Sequence, residues 1–523
     1  MKYSIRNMNE WLYPDEELTE RRLNPLRTVR GGSAGLCVLL SVPAGTRVTA
    51  RFTSSGGAFS AELFRLLPVR VEHNTGAHGF TADWETAKEY STREAPFDVF
   101  DAAMPLTGEG FTAGNRNEAL YLSLRVLPEA APGAYDGALT VTAGGEAREI
   151  PVSLSVADVL LPPESLKITN WFSVRNMAAA HGCEMWSEDH WKMIEKYGRK
   201  MRRMRQNVFW ITWDLVDAEK TDAGGYHFDF SNIERLIRMY LGMGFTTIEG
   251  APLYARESWD AAEFGINTPD GKVPSLSPEG YAYSAAFLTS WRSFLEARGW
   301  YDLLIQHVGD EPHGRAAAEY RILSGIIRKF LPGVPVIDAV ETHELSGAVD
   351  IWVPKNDYYE RNRDAMERLR GGGDTIWFYT CCIPGGHYAN RLLDAPLLRA
   401  RMLHWGNFRY DLPGYLHWGL NHWRDGDPFI CTTPMNGPTN RLPAGDTHVV
   451  YPLGNDVLCS MRGEMMRLGA EDYELLRLLA ESDDKLAERI CGEVFRSFDD
   501  CDNTAEAFEG SRGKLIDALE KIN

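Results

Sequence analysis

The chain has 523 residues, a net charge of −18, 44% hydrophobic and 24% charged residues. That is too long for one ordinary domain and typical of globular composition. The acidic balance excludes a nucleic-acid backbone or an anionic membrane surface as a natural partner, and no apolar run approaches the ~20 residues of a membrane span.

Residues Met1 to Asp15 contain no apolar core segment, so a signal peptide is not expected. The eight cysteines, at 37, 183, 381, 382, 431, 459, 491 and 501, include no Cys-x-x-Cys pair and no zinc spacing. Free thiols in a cytoplasmic setting follow, with no metal and no cofactor expected. Nothing in the sequence speaks to oligomeric state.

Residues 1–160 read as an all-β sandwich domain. Leu36–Val42 and Arg47–Phe52 are short and rich in β-formers. Ala119–Val126, Gly137–Ala143 and Ile150–Val156 alternate apolar and polar residues with period two, the pattern of half-buried antiparallel strands. Leu161-Pro162-Pro163-Glu164 reads as the linker, because prolines stop a ladder.

From residue 165 to 482 the rhythm changes to strand, loop, helix. Strands are expected at Leu166–Val174, Asn207–Thr212, Phe245–Gly250, Leu303–Gly309, Val334–Ala339, Asp350–Pro354, Thr375–Thr380 and Gly414–Trp418. Amphipathic helices fall between most of them, and only His343–Ala348 is available between the fifth and sixth. Eight βα units over this length predict a (β/α)8 TIM barrel. A doubly wound sheet would want a Gly-rich first turn, and none follows Val174. Ser460–Leu479 closes the series as a long helix. Residues 483–523 read as a helical tail packed on the barrel.

The carboxyl ends of these strands collect rings, amides and carboxylates. Aromatic faces stack on sugar rings while carboxylates and amides bind hydroxyls, so a carbohydrate partner is expected. The favoured contacts are Trp418, Asn421 and Trp423, then Trp213, Tyr379 and Asn356. The plainer reading of each ring is core packing.

The fourth strand ends in His307-Val308-Gly309-Asp310-Glu311-Pro312. Consecutive strand residues face opposite sides of a sheet, so both acids reach one mouth only where the strand ends or bulges. Pro312 lacks an N–H and biases Glu311 toward an extended backbone, which would let the ladder stop there. Two adjacent carboxylates repel, so one gains proton affinity and can act as a general acid. The plainer role is to start the helix after Gly314. His307 is placed to orient a carboxylate and is counted with the substrate-binding residues. A metal between His307 and His313 lacks a third ligand with clear spacing.

The strand-four motif resembles the Asn-Glu-Pro acid/base of many barrel glycosidases, with Asp310 replacing Asn. The nucleophilic Glu those enzymes carry after strand seven has no counterpart, since Tyr379-Thr380-Cys381-Cys382 stand there. A substrate whose own 2-acetamido group attacks the anomeric carbon needs one acid/base and one carboxylate to hold the acetamide.

Further along come Gly414-Tyr415-Leu416-His417-Trp418-Gly419-Leu420-Asn421-His422-Trp423, Gly445-Asp446, Val450-Tyr451-Pro452, Ser460-Met461-Arg462 and Gly469-Ala470-Glu471-Asp472-Tyr473-Glu474-Leu475-Leu476. In this order, with Pro132–Gly137 and Asp310-Glu311-Pro312, they resemble glycoside hydrolase family 123, the β-N-acetylgalactosaminidases. The resemblance implies a retaining exo-glycosidase releasing β-linked N-acetylgalactosamine through an oxazolinium. Asp310 would orient the acetamide and Glu311 would be the acid/base. The alternatives are a two-carboxylate glycosidase pairing Glu311 with Glu249 or Glu341, and a non-catalytic carbohydrate-binding protein.

Overall fold

The computed structural model describes residues 1–19, 21, 25–54, 56–258, 261–424 and 426–522. They form two compact units. One comprises 1–166, 382–411 and 419–523; the other comprises 167–381 and 412–418. The units cut across the expected consecutive division 1–160, 165–482 and 483–523. The reason is visible inside the first unit. The strands Val450–Leu453 and Asp456–Ser460 extend an N-terminal sheet through Phe97–Pro105, with Ser460 opposite Ala102.

That sheet has seven strands and faces a five-stranded one. Leu36, Val38, Leu40, Leu120, Leu122 and Leu124 from one sheet share a core with Val48, Leu139, Val141, Ile150, Val152 and Leu154 from the other. The expected sandwich is therefore present. Gly133–Ala143 alternates at its buried end as predicted. Glu118–Val126 does not: it is buried on both faces except at Arg125. Its outer face meets the helix Met461–Val494, whose Glu464 accepts a bond from the Tyr121 hydroxyl at 2.9 Å.

The helix Leu398–Arg409 belongs to the same unit and has ten consecutive buried residues, Leu398–Asn407. A helix buried all round must neutralise its charges internally. Arg401 does so against Asp472 at 2.7 Å.

The second unit contains the strand–helix alternation. All eight expected strands occur, each shorter than expected: Lys167–Asn170, Val208–Ile211, Thr247–Gly250, Leu304–Gln306, Ile337–Val340, Ile351–Pro354, the split pair Thr375–Ile376 and Phe378–Tyr379, and Gly414–His417. Their pairings are parallel. They form three three-stranded sheets, and an uninterrupted closed eight-stranded barrel is not what the ladder draws. Isolated bridges join Gln306 to Val336 and Lys355 to Tyr379. Between the first and second strands the backbone link is Asn207 N to Ile168 O, 3.2 Å, outside any ladder. Strands of three or four residues leave little ladder to continue, and Pro335, entering the fifth strand, has no N–H to give. The seventh strand splits at Trp377, whose ring lies so close to Gly414 that a Cβ there would sit 2.0 Å away.

Helices sit where periodicity and caps put them. Ser187 caps Glu188–Arg203 with Glu188 and Asp189 in the first turn, and Ser277 caps Pro278–Glu296 with proline at its start. No helix separates the fifth and sixth strands among the described residues. The sequence reading missed a small three-stranded antiparallel sheet after the third strand, Ala255–Arg256, Phe264–Thr268 and Gly271–Pro274.

Candidate active site

The fourth strand stops at Gln306, three residues earlier than expected. The chain then bends, and Glu311 adopts φ +45°, a left-handed conformation that side chains other than glycine rarely take. This is how two consecutive acids escape opposite faces of a strand. The extended backbone expected before Pro312 is overruled. Such strain persists only where neighbours over-determine it. Arg256 supplies part of that hold, donating at 3.0 Å to the backbone oxygens of both Asp310 and Glu311. His313 Nδ1 lies 3.0 Å from the Glu311 oxygen. Phe264 packs on Gly309 so closely that a Cβ would meet its ring at 2.5 Å. The missed antiparallel sheet thus clamps the acid-bearing loop.

Asp310 is exposed by area, yet protein atoms crowd its carboxyl. That crowding, then the charges of Glu311 and Asp338, raise its pKa, against the opposing pull of His307 and Arg256. The open side lets water screen part of these effects. A proton held in this mouth belongs to the adjacent acids together rather than to one oxygen.

Glu311 accepts a hydrogen bond from the Tyr379 hydroxyl at the end of the seventh strand. The tyrosine stands where a carboxylate nucleophile was sought. Burial, then the Glu311 charge, keep that hydroxyl protonated far above its ordinary range. Tyr379 is therefore a donor. Beside it, Lys355 forms an ion pair with Glu341. Burial would lower the Lys355 pKa, but the Glu341 hydrogen bond and charge, with Cys381 and Glu311, raise it.

His307 is fully buried behind the acids. Its Nδ1 lies 2.8 Å from Asp338 and its Nε2 lies 2.9 Å from Glu249. The carboxylates it contacts are not those of Asp310 and Glu311. Glu249 also accepts from the Thr169 hydroxyl at 2.5 Å and the Trp171 indole at 2.9 Å. Trp171 and Trp210 stack with centroids 4.0 Å apart and present their edges to His307.

The other expected contacts are dispersed. Trp213 is half-buried, donates to Ala251 O at 2.8 Å and packs against Phe287 and Trp291. Asn356 is buried at the start of a helix, its oxygen accepting from Asp357 N. Trp418 is half-buried beside the His417 ring. Asn421 and Trp423 belong to the first unit, where Asn421 bridges His448 and the Trp423 ring meets the His448 ring edge-on. Asp214, a further acid near the end of the second strand, forms an exposed pair with Arg175.

Sequence reasoning missed Asp338, Lys355 and Arg256. Asp338 had a signal. It is the lone acid in the apolar run Val334–Val340, and a buried acid demands partners. Arg256 had none, because its role depends on a loop folding back.

Residues 171–479 match the glycoside hydrolase 123 catalytic domain, more than half of the chain. The chain belongs to glycoside hydrolase family 123. Glycoside hydrolysis is thus its class of activity and carbohydrate its class of substrate. A family 123 glycoside hydrolase from Clostridium perfringens, solved in work on glycolipid glycan hydrolysis, aligns over 99% of this chain and 97% of its own. The TM-score is 0.75 at 14% identity, a likeness of fold. Parabacteroides merdae β-glucuronidase (TM-score 0.33, 10% identity, 85% of this chain and 51% of that one) is far more distant. So is a Rhizomucor miehei family 5 mannosidase (0.32, 11%, 64% and 95%). No curated protein sequence matches.

Proposed function

We propose that this family 123 member is a retaining exo-glycosidase that releases terminal β-linked N-acetylgalactosamine by substrate assistance. The observation that carries this reading is the state of the other carboxylates in the unit. Glu249 is fully buried and held by three donors, Glu341 is paired with Lys355, and Tyr379 occupies the end of the seventh strand. None of these stands open to attack an anomeric carbon. Asp310 is exposed and Glu311 partly exposed.

In this reading the 2-acetamido oxygen attacks the anomeric carbon as the glycosidic bond breaks. Glu311 gives its proton to the leaving oxygen, and Asp310 accepts the acetamide N–H and balances the positive charge of the oxazolinium. Glu311 then takes a proton from water, which opens the ring with net retention. The Tyr379 hydroxyl fixes the Glu311 carboxyl and stabilises its anion after proton transfer.

The decisive measurement compares aryl β-glycosides that differ only at C2. Turnover of the 2-acetamido sugar, with the 2-hydroxy analogue at least ~100-fold slower and inhibition by a thiazoline mimic of the oxazolinium, is expected. Equal rates on both would sink substrate assistance and favour a two-carboxylate mechanism. Comparing aryl glycosides epimeric at C4 tests the galacto assignment.

A further inference from the structure

Glu249, His307 and Asp338 take no part in the chemistry above, yet all three are buried and ionisable. They come from three neighbouring segments: Glu249 from the third strand, His307 directly after the fourth, and Asp338 from the fifth. Both ring nitrogens of His307 face carboxylate oxygens, at 2.8 and 2.9 Å. With both acids ionised, each only accepts, so both nitrogens then carry hydrogen and the ring is an imidazolium. Two buried acids around one cation are costly, and apolar residues of the same volume would pack as well.

The remaining lone pairs show where the charge is used. Asp338 Oδ2 accepts from Val308 N at 2.9 Å and Gly309 N at 3.4 Å, and from the Tyr320 hydroxyl at 2.5 Å. Val308 and Gly309 immediately precede Asp310 and lie beyond the end of their strand. Asp338 therefore holds the loop from behind while Arg256 holds the Asp310 and Glu311 oxygens from in front.

We propose that Glu249, His307 and Asp338 form a buried positioning relay, with His307 kept as the imidazolium, that fixes the loop carrying Asp310 and Glu311. The role rests on reading those two acids as catalytic. The charged and titratable groups around His307 are Glu249, Asp338, Tyr320 through Asp338, and Asp310 on its own loop. Trp171 and Trp210 contribute only ring edges. Burial pulls the His307 pKa down, but Asp338 and Glu249 outweigh it and raise it to about 9.

The test follows His307 and activity together across pH. Nitrogen-15 NMR of the wild type, with the signal assigned by its loss in H307Q, should show a doubly protonated ring through pH 8. The wild-type kcat/KM should show a proton loss near pH 9. In D338N and E249Q, each of which removes one negative partner, that loss should move down by about one unit or more. H307Q should lower kcat roughly 100-fold through misplacement of the acids, with KM changed far less. A neutral ring at pH 7 in the wild type, or a limb unmoved in a folded variant, overturns the relay. If one carboxylate variant fails to fold, the other decides. A wild type inactive on every aryl glycoside would instead overturn the glycosidase reading, and the NMR titration would still decide the state of His307.

Discussion

The two compact units bury charge in opposite ways. In the unit built on the sandwich, buried acids meet arginines. Asp472 is gripped by Arg401 at 2.7 Å and Arg512 at 2.8 Å. Arg462 meets Asp101 at 2.9 Å and spends its other N–H groups on the oxygens of Arg391, Gly445 and His448. Burial alone would raise the Asp472 pKa, but the two guanidinium groups outweigh it and pull it below the usual carboxylate range. In the strand–helix unit Glu249, Asp338 and Asp357 are buried, and no lysine or arginine is buried among the described residues. Two carboxylates share His307, and Asp310 gains proton affinity from crowding and its acidic neighbours. Matched charge fixes a structure, whereas a surplus of one sign leaves groups poised to exchange protons.

Substitutions should separate the two regimes. The largest effect is expected from Glu311→Gln, which should lower kcat on an aryl 2-acetamido-β-galactoside by about 10³-fold or more with thermal unfolding nearly unchanged. Asp310→Asn should cost roughly 10²- to 10³-fold on the same substrate. Wild-type rates from either variant would remove these acids from the chemistry. Asp472→Ala should behave in the reverse sense. It strands two buried guanidinium groups and should cost about 3–5 kcal/mol in denaturant unfolding, with turnover per folded molecule unchanged.

Tyr379→Phe removes one donor to Glu311. About a tenfold loss in kcat is expected, the worth of one hydrogen bond to a charged group, with little change in unfolding. The smallest effect is a pH dependence of stability. The folded His307 pKa is raised from 6.5 to about 9, so its contribution is fully present below pH 6.5 and is lost as pH rises through 9. Denaturant melts over that window should fall more steeply for wild type than for H307Q.

Much of this was legible in the chain. Period-two alternation marked the sandwich strands, and serine caps followed by periodic helices marked the βα units. The abrupt end of an apolar run at Asp310-Glu311-Pro312 marked the loop that follows the fourth strand. What misled was tied to long-range packing. Glu118–Val126 reads as half-buried, because alternation cannot reveal that a helix more than 300 residues later covers its polar face. That the Trp213 ring packs on Phe287 and Trp291 of a helix was equally invisible in the local pattern.

The sequence by itself determined the two kinds of architecture, the strand after which the acids fall and the lack of a carboxylate at the end of the seventh strand. These are local facts of composition, period and order. Only the tertiary structure decided that the C-terminal strands complete the N-terminal sheet and that His307 serves Glu249 and Asp338. It also decided that Glu311 is held left-handed under Arg256. Each of these depends on residues tens to hundreds of positions apart, and burial gives their charges and hydrogen bonds a strength that no local pattern encodes.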